Sequence, residues 1–373
     1  MKTFDVVIVG GGPAGYVAAI RSAQKGLSTA LVEYQDLGGL CLNWGCIPTK
    51  ALLKTAAAWE SLKDIEDLGI RFSQKPTLDL EVAVQRSRNV AQTLQRGVQH
   101  LMKKNKVEVF KEKAALHAPR KSLWVLENAD QKPFVQGKHV ILAPGSRPRA
   151  LPGFDIPPSC LWGASEAMTP KSLPKSLTII GSGAIGMEFA SFYNALGTHV
   201  HVIEIQDRIL PTEDRDISDL AQKIFIQKGV NIWTQVSIQS VAPSKKNECT
   251  IQITDHKGAK HSINSEKVLI AVGVQGQIEN LGLQHTQTKI QQNSWIEVDP
   301  WGRTHEPFLY AIGDVTGAPC LAHKASHQAV QCVEGIACDF AQKPPKSLIP
   351  GCTYTLPEIA SVGMTEQQAQ EAN

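Results

Sequence analysis

The 373-residue chain has no apolar run approaching the roughly 20 residues that a membrane-spanning helix needs. Basic clusters are missing as well. Thirty-eight Lys and Arg against 35 Asp and Glu give a formal net charge of +3, which leaves no electrostatic footprint for nucleic acid or an anionic membrane surface. Neither is expected as a partner. Cysteine is scarce: eight in the whole chain are too few for a disulfide scaffold, and such use fits a reducing compartment, expected to be the cytoplasm. Met1-Lys2-Thr3 runs directly into FDVVIVG without a basic and then apolar leader, so no secretory signal is expected. What is present, 42% hydrophobic and 20% charged residues, describes an ordinary globular protein too long for one core.

One pattern occurs twice. VVIVGGGPAG at 6–15 and LTIIGSGAIG at 177–186 are each an apolar strand entering GxGxxG and an Ala-rich helical segment. A second strand follows each, STALVEY and HVHVIEI, and each reaches an acid: Glu33 lies 23 residues after Gly10, and Glu204 lies 23 residues after Gly181. A lone GxGxxG is weak evidence, and an acid at a strand end is ordinarily a solvated residue. The matched register of strand, glycines, helix, strand and acid turns both into dinucleotide sites. Gly10 and Gly181 make the tight turn, Gly12 and Gly183 let the backbone approach a pyrophosphate, and Gly15 and Gly186 let helix and strand pack closely, with the anion at the helix N-terminus. The fold class follows: α/β, with two Rossmann-like domains.

Between the repeats, 51–105 reads as long helices and 107–142 as short strands, and a Pro-rich segment near 150 reads as a linker. KVLIAVGVQGQIENLGL at 267–283 and FLYAIGDVTG at 308–317 are further strand and glycine-turn patterns, whose order suggests a return to the first domain.

LGGLCLNWGCIPTK at 37–50 sets Cys41 and Cys46 five positions apart. Taken alone, they are two buried thiols, a metal half-site or a redox pair. A zinc site lacks a second Cys or His pair at ligand spacing, and no metal is expected. A redox pair beside two dinucleotides makes chemical sense, since a dithiol and a nicotinamide exchange the same two electrons through a flavin.

These motifs together resemble the dihydrolipoyl dehydrogenases, flavoprotein disulfide reductases that serve 2-oxo acid dehydrogenase complexes, and the resemblance runs from about residue 4 to the end. It implies FAD and NAD as cofactors, with an FAD-binding domain at 1–149 and 279–343 and an NAD-binding domain at 150–278. It implies that Cys41 and Cys46 are the redox-active disulfide, Cys41 meeting the dithiol substrate and Cys46 lying against the flavin. A reactive thiolate needs nearby positive potential. Lys50, one helical turn past Cys46, resembles the family lysine near the flavin's reactive edge, and Glu188 in GAIGMEFA matches its glutamate partner. Glu33 would hold the ribose of FAD and Asp314 its ribityl chain, with Ala322 supplying backbone near the flavin. Gly145 in LAPGSRP matches a turn the family usually writes ATG, with Pro144 in place of threonine. Glu204 would hold the adenosine ribose of NAD and repel the 2′-phosphate of NADP, and Gly273 and Val241 match further NAD contacts. That preference weighs against glutathione reductase, and the lack of a terminal cysteine pair weighs against mercuric reductase.

The resemblance also implies as partners the lipoyl domain of an acyltransferase component and a second copy in a homodimer. Residues 344–373 resemble the beginning of a third, α+β interface domain. The family's histidine–glutamate acid–base pair belongs to the continuation of that domain. A defined dimer and normal turnover are therefore not expected of residues 1–373 alone, and a catalytically silent FAD- and NAD-binding chain is the competing expectation.

Overall fold

The computed structural model describes residues 1–120, 123–151, 153–154, 156–244, 247–340 and 348–372. The boundary expected at 343/344 lies outside the described residues. The chain forms two compact units, one from 1–46, 91–147 and 274–349, the other from 47–90, 148–273 and 350–373.

In the first unit, Lys2–Val9 is a central strand. It pairs in parallel with Thr29–Val32 on one side and Pro133–Leu142 on the other, in register Val9↔Val32 and Val9↔Leu142. Glu108–Phe110 extends the first side, and Leu309–Ala311 joins Pro133–Leu142 in parallel. Antiparallel Leu123–Glu127 and Ala115–Arg120 complete a seven-stranded sheet. A central parallel strand is covered on both faces, so it reads as an unbroken apolar run; Val6 to Val9 are accordingly all buried. Helix Pro13–Gln24 starts with Pro at its first turn and buries Ala14, Gly15, Ala18, Ala19 and Ser22. That face of small side chains lets the helix lie close against helix Ala322–Ala337.

The second unit repeats the plan. Its five-stranded sheet runs Asn231–Trp233, His199–Ile203, Ser176–Ile180, Lys267–Ile270, Leu161–Trp162, every pair parallel. Both sheets are therefore doubly wound, as the glycine motifs require. A three-stranded antiparallel sheet, Ser237–Pro243, Cys249–Thr254 and Lys260–Ser265, is inserted before the last long strand. Leu52, Leu53 and Ala56, from helix Cys46–Ser61, share a core with Leu177, Ile179, Phe189 and Tyr193.

The helical region expected over 51–105 is two helices, Cys46–Ser61 and Leu80–Lys104. Gly69, at φ +80°, and Pro76 lie in the irregular stretch between them. A left-handed glycine and a proline both interrupt the helical hydrogen-bond ladder.

Candidate active site

The two glycine loops are near copies at atomic detail. The amide of Gly10 donates to Val32 O at 2.8 Å, and that of Gly181 to Ile203 O at 2.8 Å. The Ala143 amide donates to Val9 O and the Ala271 amide to Ile180 O, each at 2.8 Å. Gly10 and Gly181 adopt φ of +106° and +101°, and a Cβ on either would strike the carbonyl of Ala143 or Ala271 in the neighbouring strand. A Cβ on Gly15 would strike Gly10 O, and one on Gly186 would strike Gly181 O. Gly12 and Gly183 differ from these. Each precedes its helix without a side-chain cap; a Cβ on Gly12 would come no nearer than 3.9 Å to Gly39 Cα, and one on Gly183 would meet nothing within 4 Å. Two glycines per loop thus permit packing and the third leaves space in front of uncapped amides, the arrangement a pyrophosphate needs.

Each acid closes its loop in the same way. Glu33 accepts from the Gly11 amide at 2.7 Å through Oε2 and from the Gln35 amide at 2.7 Å through Oε1. Glu204 accepts through Oε2 from the Ser182 amide at 2.9 Å and hydroxyl at 2.7 Å, and through Oε1 from the Gln206 amide at 2.9 Å. Backbone donors fix both carboxylates at the strand end, where a ribose diol can be bound. Beside Glu33 lies a cavity of about 440 Å³ lined by Asp36, Gln95, Met102, Val109 and Lys111 among others. Its size is that of a small-molecule site. These features fit FAD on the first loop and NAD on the second.

Gly145 and Gly273 lie two residues beyond Ala143 and Ala271, in equivalent turns with φ of +80° and +95°. The Gly145 carbonyl accepts from the Gln277 amide at 3.1 Å and the Gly273 carbonyl from the Arg149 amide at 3.0 Å. Val241 is placed differently: its side chain is buried in an apolar cluster with Ile180, Ile203 and Ile251.

Cys41 and Cys46 form a disulfide with Cα atoms 4.8 Å apart. Cys41 sits in the short helix Gly39–Trp44, and Cys46 opens the helix Cys46–Ser61. The sequence reading missed how this segment is held. The Gly38 amide donates to Gly11 O at 2.8 Å, and a Cβ on Gly39 would stand 2.6 Å from Gly12 Cα. Backbone is therefore laid directly on the first dinucleotide loop, leading into the disulfide. The GG before LCLNWGC was the available signal. Three of the other thiols are poor nucleophiles, because burial pushes Cys320 up to about 11, Cys249 up to about 12 and Cys332 still higher.

Asp314 lies in a short 3-10 turn, Gly313–Thr316. Its Oδ2 accepts from the Ser146 hydroxyl at 2.9 Å, which ties the turn to the residue after Gly145. Burial raises the Asp314 carboxyl above its ordinary value, opposed by the Ser146 hydroxyl and by Lys324. Lys324 is buried, donates to Gly317 O, and is pushed down mainly by burial. Ala322 is the first residue of helix Ala322–Ala337. Asp314 and Ser146 present polar atoms where a ligand hydroxyl can join them.

In the second unit Lys50 Nζ meets both oxygens of Glu188, at 2.8 and 2.7 Å. Glu188 is buried, and its Oε1 also accepts from the Tyr354 amide at 3.0 Å. The Lys50 ammonium lies 4.9 Å from the centre of the Tyr354 ring, close enough for a cation–π contact.

Comparison with known proteins agrees with this geometry. Residues 4–329 match the family model described as pyridine nucleotide-disulphide oxidoreductase. The chain is 42% identical to a dihydrolipoyl dehydrogenase of Rhizobium etli, with 99% of this chain and 79% of that protein covered. It is 43% identical to one of Zymomonas mobilis, covering 99% and 78%, and 38% identical to one of Bacillus subtilis, covering 98% and 78%. Among solved structures, an HOCl-induced flavoprotein disulfide reductase from Escherichia coli, in its Cu(II) complex, superposes with a TM-score of 0.85 at 25% identity, covering 100% of this chain and 80% of that one.

Proposed function

This chain belongs to the dihydrolipoyl dehydrogenases of the pyridine nucleotide-disulphide oxidoreductase family, and we propose that it oxidises dihydrolipoyl groups with reduction of NAD to NADH. The observation that carries the reading is the Cys41–Cys46 disulfide on a segment laid against the first glycine loop. A substrate thiolate attacks Cys41 Sγ, forming a mixed disulfide and releasing Cys46 as thiolate. The second substrate thiol, after losing its proton, attacks the substrate sulfur in that mixed disulfide. The lipoyl ring closes, and Cys41 leaves as thiolate. Bound FAD supplies the two-electron relay from the dithiol to the nicotinamide. Overall, a dihydrolipoyl group and NAD⁺ give a lipoyl group, NADH and one proton.

The chain's own groups hold the parts in place. Gly10, Gly12, Gly15 and Glu33 bind the FAD pyrophosphate and ribose, and Asp314, Gly145 and Ala322 receive the ribityl and flavin portions. Gly181, Gly183, Gly186, Glu204 and Gly273 form the NAD site, and Val241 belongs to the apolar cluster that packs on its strands. Lys50, aimed by Glu188, provides positive charge one helical turn from Cys46. The partner proposed is the lipoyl domain of an acyltransferase in a 2-oxo acid dehydrogenase complex, in the cytoplasm. Among the described residues no helix is long and apolar enough to cross a membrane.

The test is alkylation and turnover together. In the folded, non-reduced protein, Cys41 and Cys46 should resist iodoacetamide until a dithiol is added, as mass mapping of the labelled cysteines reads. Cys41→Ser should retain FAD, expose Cys46 to alkylation without reductant, and lose whatever dihydrolipoamide-dependent NADH formation the parent chain supports. Full activity in that variant would overturn the assignment.

A further inference from the structure

Tyr354 carries an aromatic ring whose place the dithiol chemistry leaves unexplained. It follows strand Gly351–Thr353, which pairs antiparallel with Ile359–Ser361. Its backbone is pinned to helix Ala184–Ala195: the Tyr354 amide donates to Glu188 Oε1 and the Leu356 amide to Ser191 Oγ, each at 3.0 Å. Residues three apart share a helix face, so these two bonds fix where the Tyr354 side chain starts. The residue is 41% exposed, and burial therefore does not account for the ring. What the ring touches is a cation. Lys50 Nζ stands 4.9 Å from its centre, while the two Glu188 oxygens hold the same ammonium at 2.8 and 2.7 Å. The Lys50 side chain is itself 34% exposed, so without the ring its ammonium has water to turn toward.

We infer that Tyr354 is a positioning residue for the reaction: its ring caps the Lys50 ammonium and keeps that charge directed at the Cys41–Cys46 pair, favouring the Cys46 thiolate. The inference rests on the reading of Lys50 as the cation that serves this pair, one helical turn from Cys46. Nearby positive charge stabilises a thiolate. Glu188, however, cancels the Lys50 charge at a distance, and the ion pair that remains is a dipole whose effect on Cys46 depends on where the ammonium points. A second carboxylate would hold Lys50 as firmly but would turn the group negative. An aromatic face attracts a cation through its quadrupole and adds no charge. The phenol stays neutral, because it is pushed up from its ordinary value first by Cys352, which also shares a hydrogen bond with it, then by burial, Glu358 and Glu188. Tyr354 thus restrains the cation through its ring and the carboxylate through its amide.

The test follows Cys46 in the full chain carrying Cys41→Ser. Iodoacetamide labelling over a series of pH values, read by mass mapping of the Cys46 peptide, reports its thiolate. Adding Tyr354→Leu should lower the labelling rate on the acid limb of the profile about threefold, the factor equivalent to a cation–π contact at a partly exposed site. The rate at high pH, where Cys46 is wholly ionised, should not change. Tyr354→Phe should keep the profile of the background, and Lys50→Gln should displace it at least as far as Tyr354→Leu does. Tyr354→Leu added to Lys50→Gln should change nothing further. A Tyr354→Leu profile that coincides with the background, beside a displaced one in Lys50→Gln, would overturn the role of Tyr354 and leave that of Lys50 standing. Displacement by Tyr354→Phe, or by Tyr354→Leu in the Lys50→Gln chain, would overturn it too, since the ring would not then be acting through the cation. So would a changed rate at high pH with an unmoved midpoint, which reports access and not charge. A Lys50→Gln profile that does not move would overturn both the inference and the reading on which it rests.

Discussion

Lys50 and Glu188, 138 residues apart in the chain, are joined through both oxygens of a buried carboxylate. The same carboxylate takes the Tyr354 amide, and three residues along its helix the Ser191 hydroxyl oxygen takes the Leu356 amide at 3.0 Å. Three distant segments of the second unit are thereby fastened at one acidic side chain, which also fixes where the Lys50 charge stands.

Removing that acceptor leaves an ammonium and a buried amide without their partner. Glu188→Ala should destabilise the second unit by about 2 kcal/mol, less than the loss of a fully buried pair because Lys50 keeps contact with water, and Glu188→Gln by about half as much because the amide oxygen still accepts. Urea unfolding with an unchanged m-value reads both. An alanine variant as stable as the parent would show that the pairing carries no net stability.

The glycines of the second loop should separate folding from binding. Gly186→Ala drives a methyl into Gly181 O and should cost about 3 kcal/mol. Gly183→Ala meets open space and should cost no more than about 1 kcal/mol as an altered N-cap. Its methyl nevertheless occupies the room proposed for the pyrophosphate, so NADH affinity should fall at least about tenfold, the effect of losing close backbone contact with phosphate. Thermal melts and NADH titration on the same samples distinguish the two outcomes, and normal NADH binding by Gly183→Ala would remove the pyrophosphate from that position.

Asp314 should make the FAD-free chain more sensitive to pH. Burial raises its folded-state value above the ordinary 3.8, so the native state keeps this proton to higher pH than the unfolded chain does. The stabilisation is fully present below 3.8 and is lost as pH rises through the folded value. Asp314→Asn removes this slope. Relative to the parent, the melting temperature of the FAD-stripped variant should rise between pH 4 and pH 7, while its FAD affinity falls. Parallel pH profiles for the two proteins would contradict the burial of that carboxyl.

Both dinucleotide loops were legible in the sequence because each depends on neighbours in the chain. A strand covered on both faces must be apolar throughout, a turn at φ above +100° requires Gly10 or Gly181, and an acid at fixed spacing reaches the amides of its own loop. The alternation of Cys249–Thr254 was legible in the same sense, yet the three-stranded sheet it builds passed unread, since period two says nothing about which strand is the partner. Tertiary structure alone decided the rest. Gly39 against Gly12, Ser146 on Asp314, Asp207 between two arginines and Tyr354 on Glu188 are contacts that chain spacing does not specify. Local sequence sets which conformations a segment can adopt. Which distant carboxylate a lysine or arginine meets is settled only when the strands and helices pack and bring their side chains within hydrogen-bond reach.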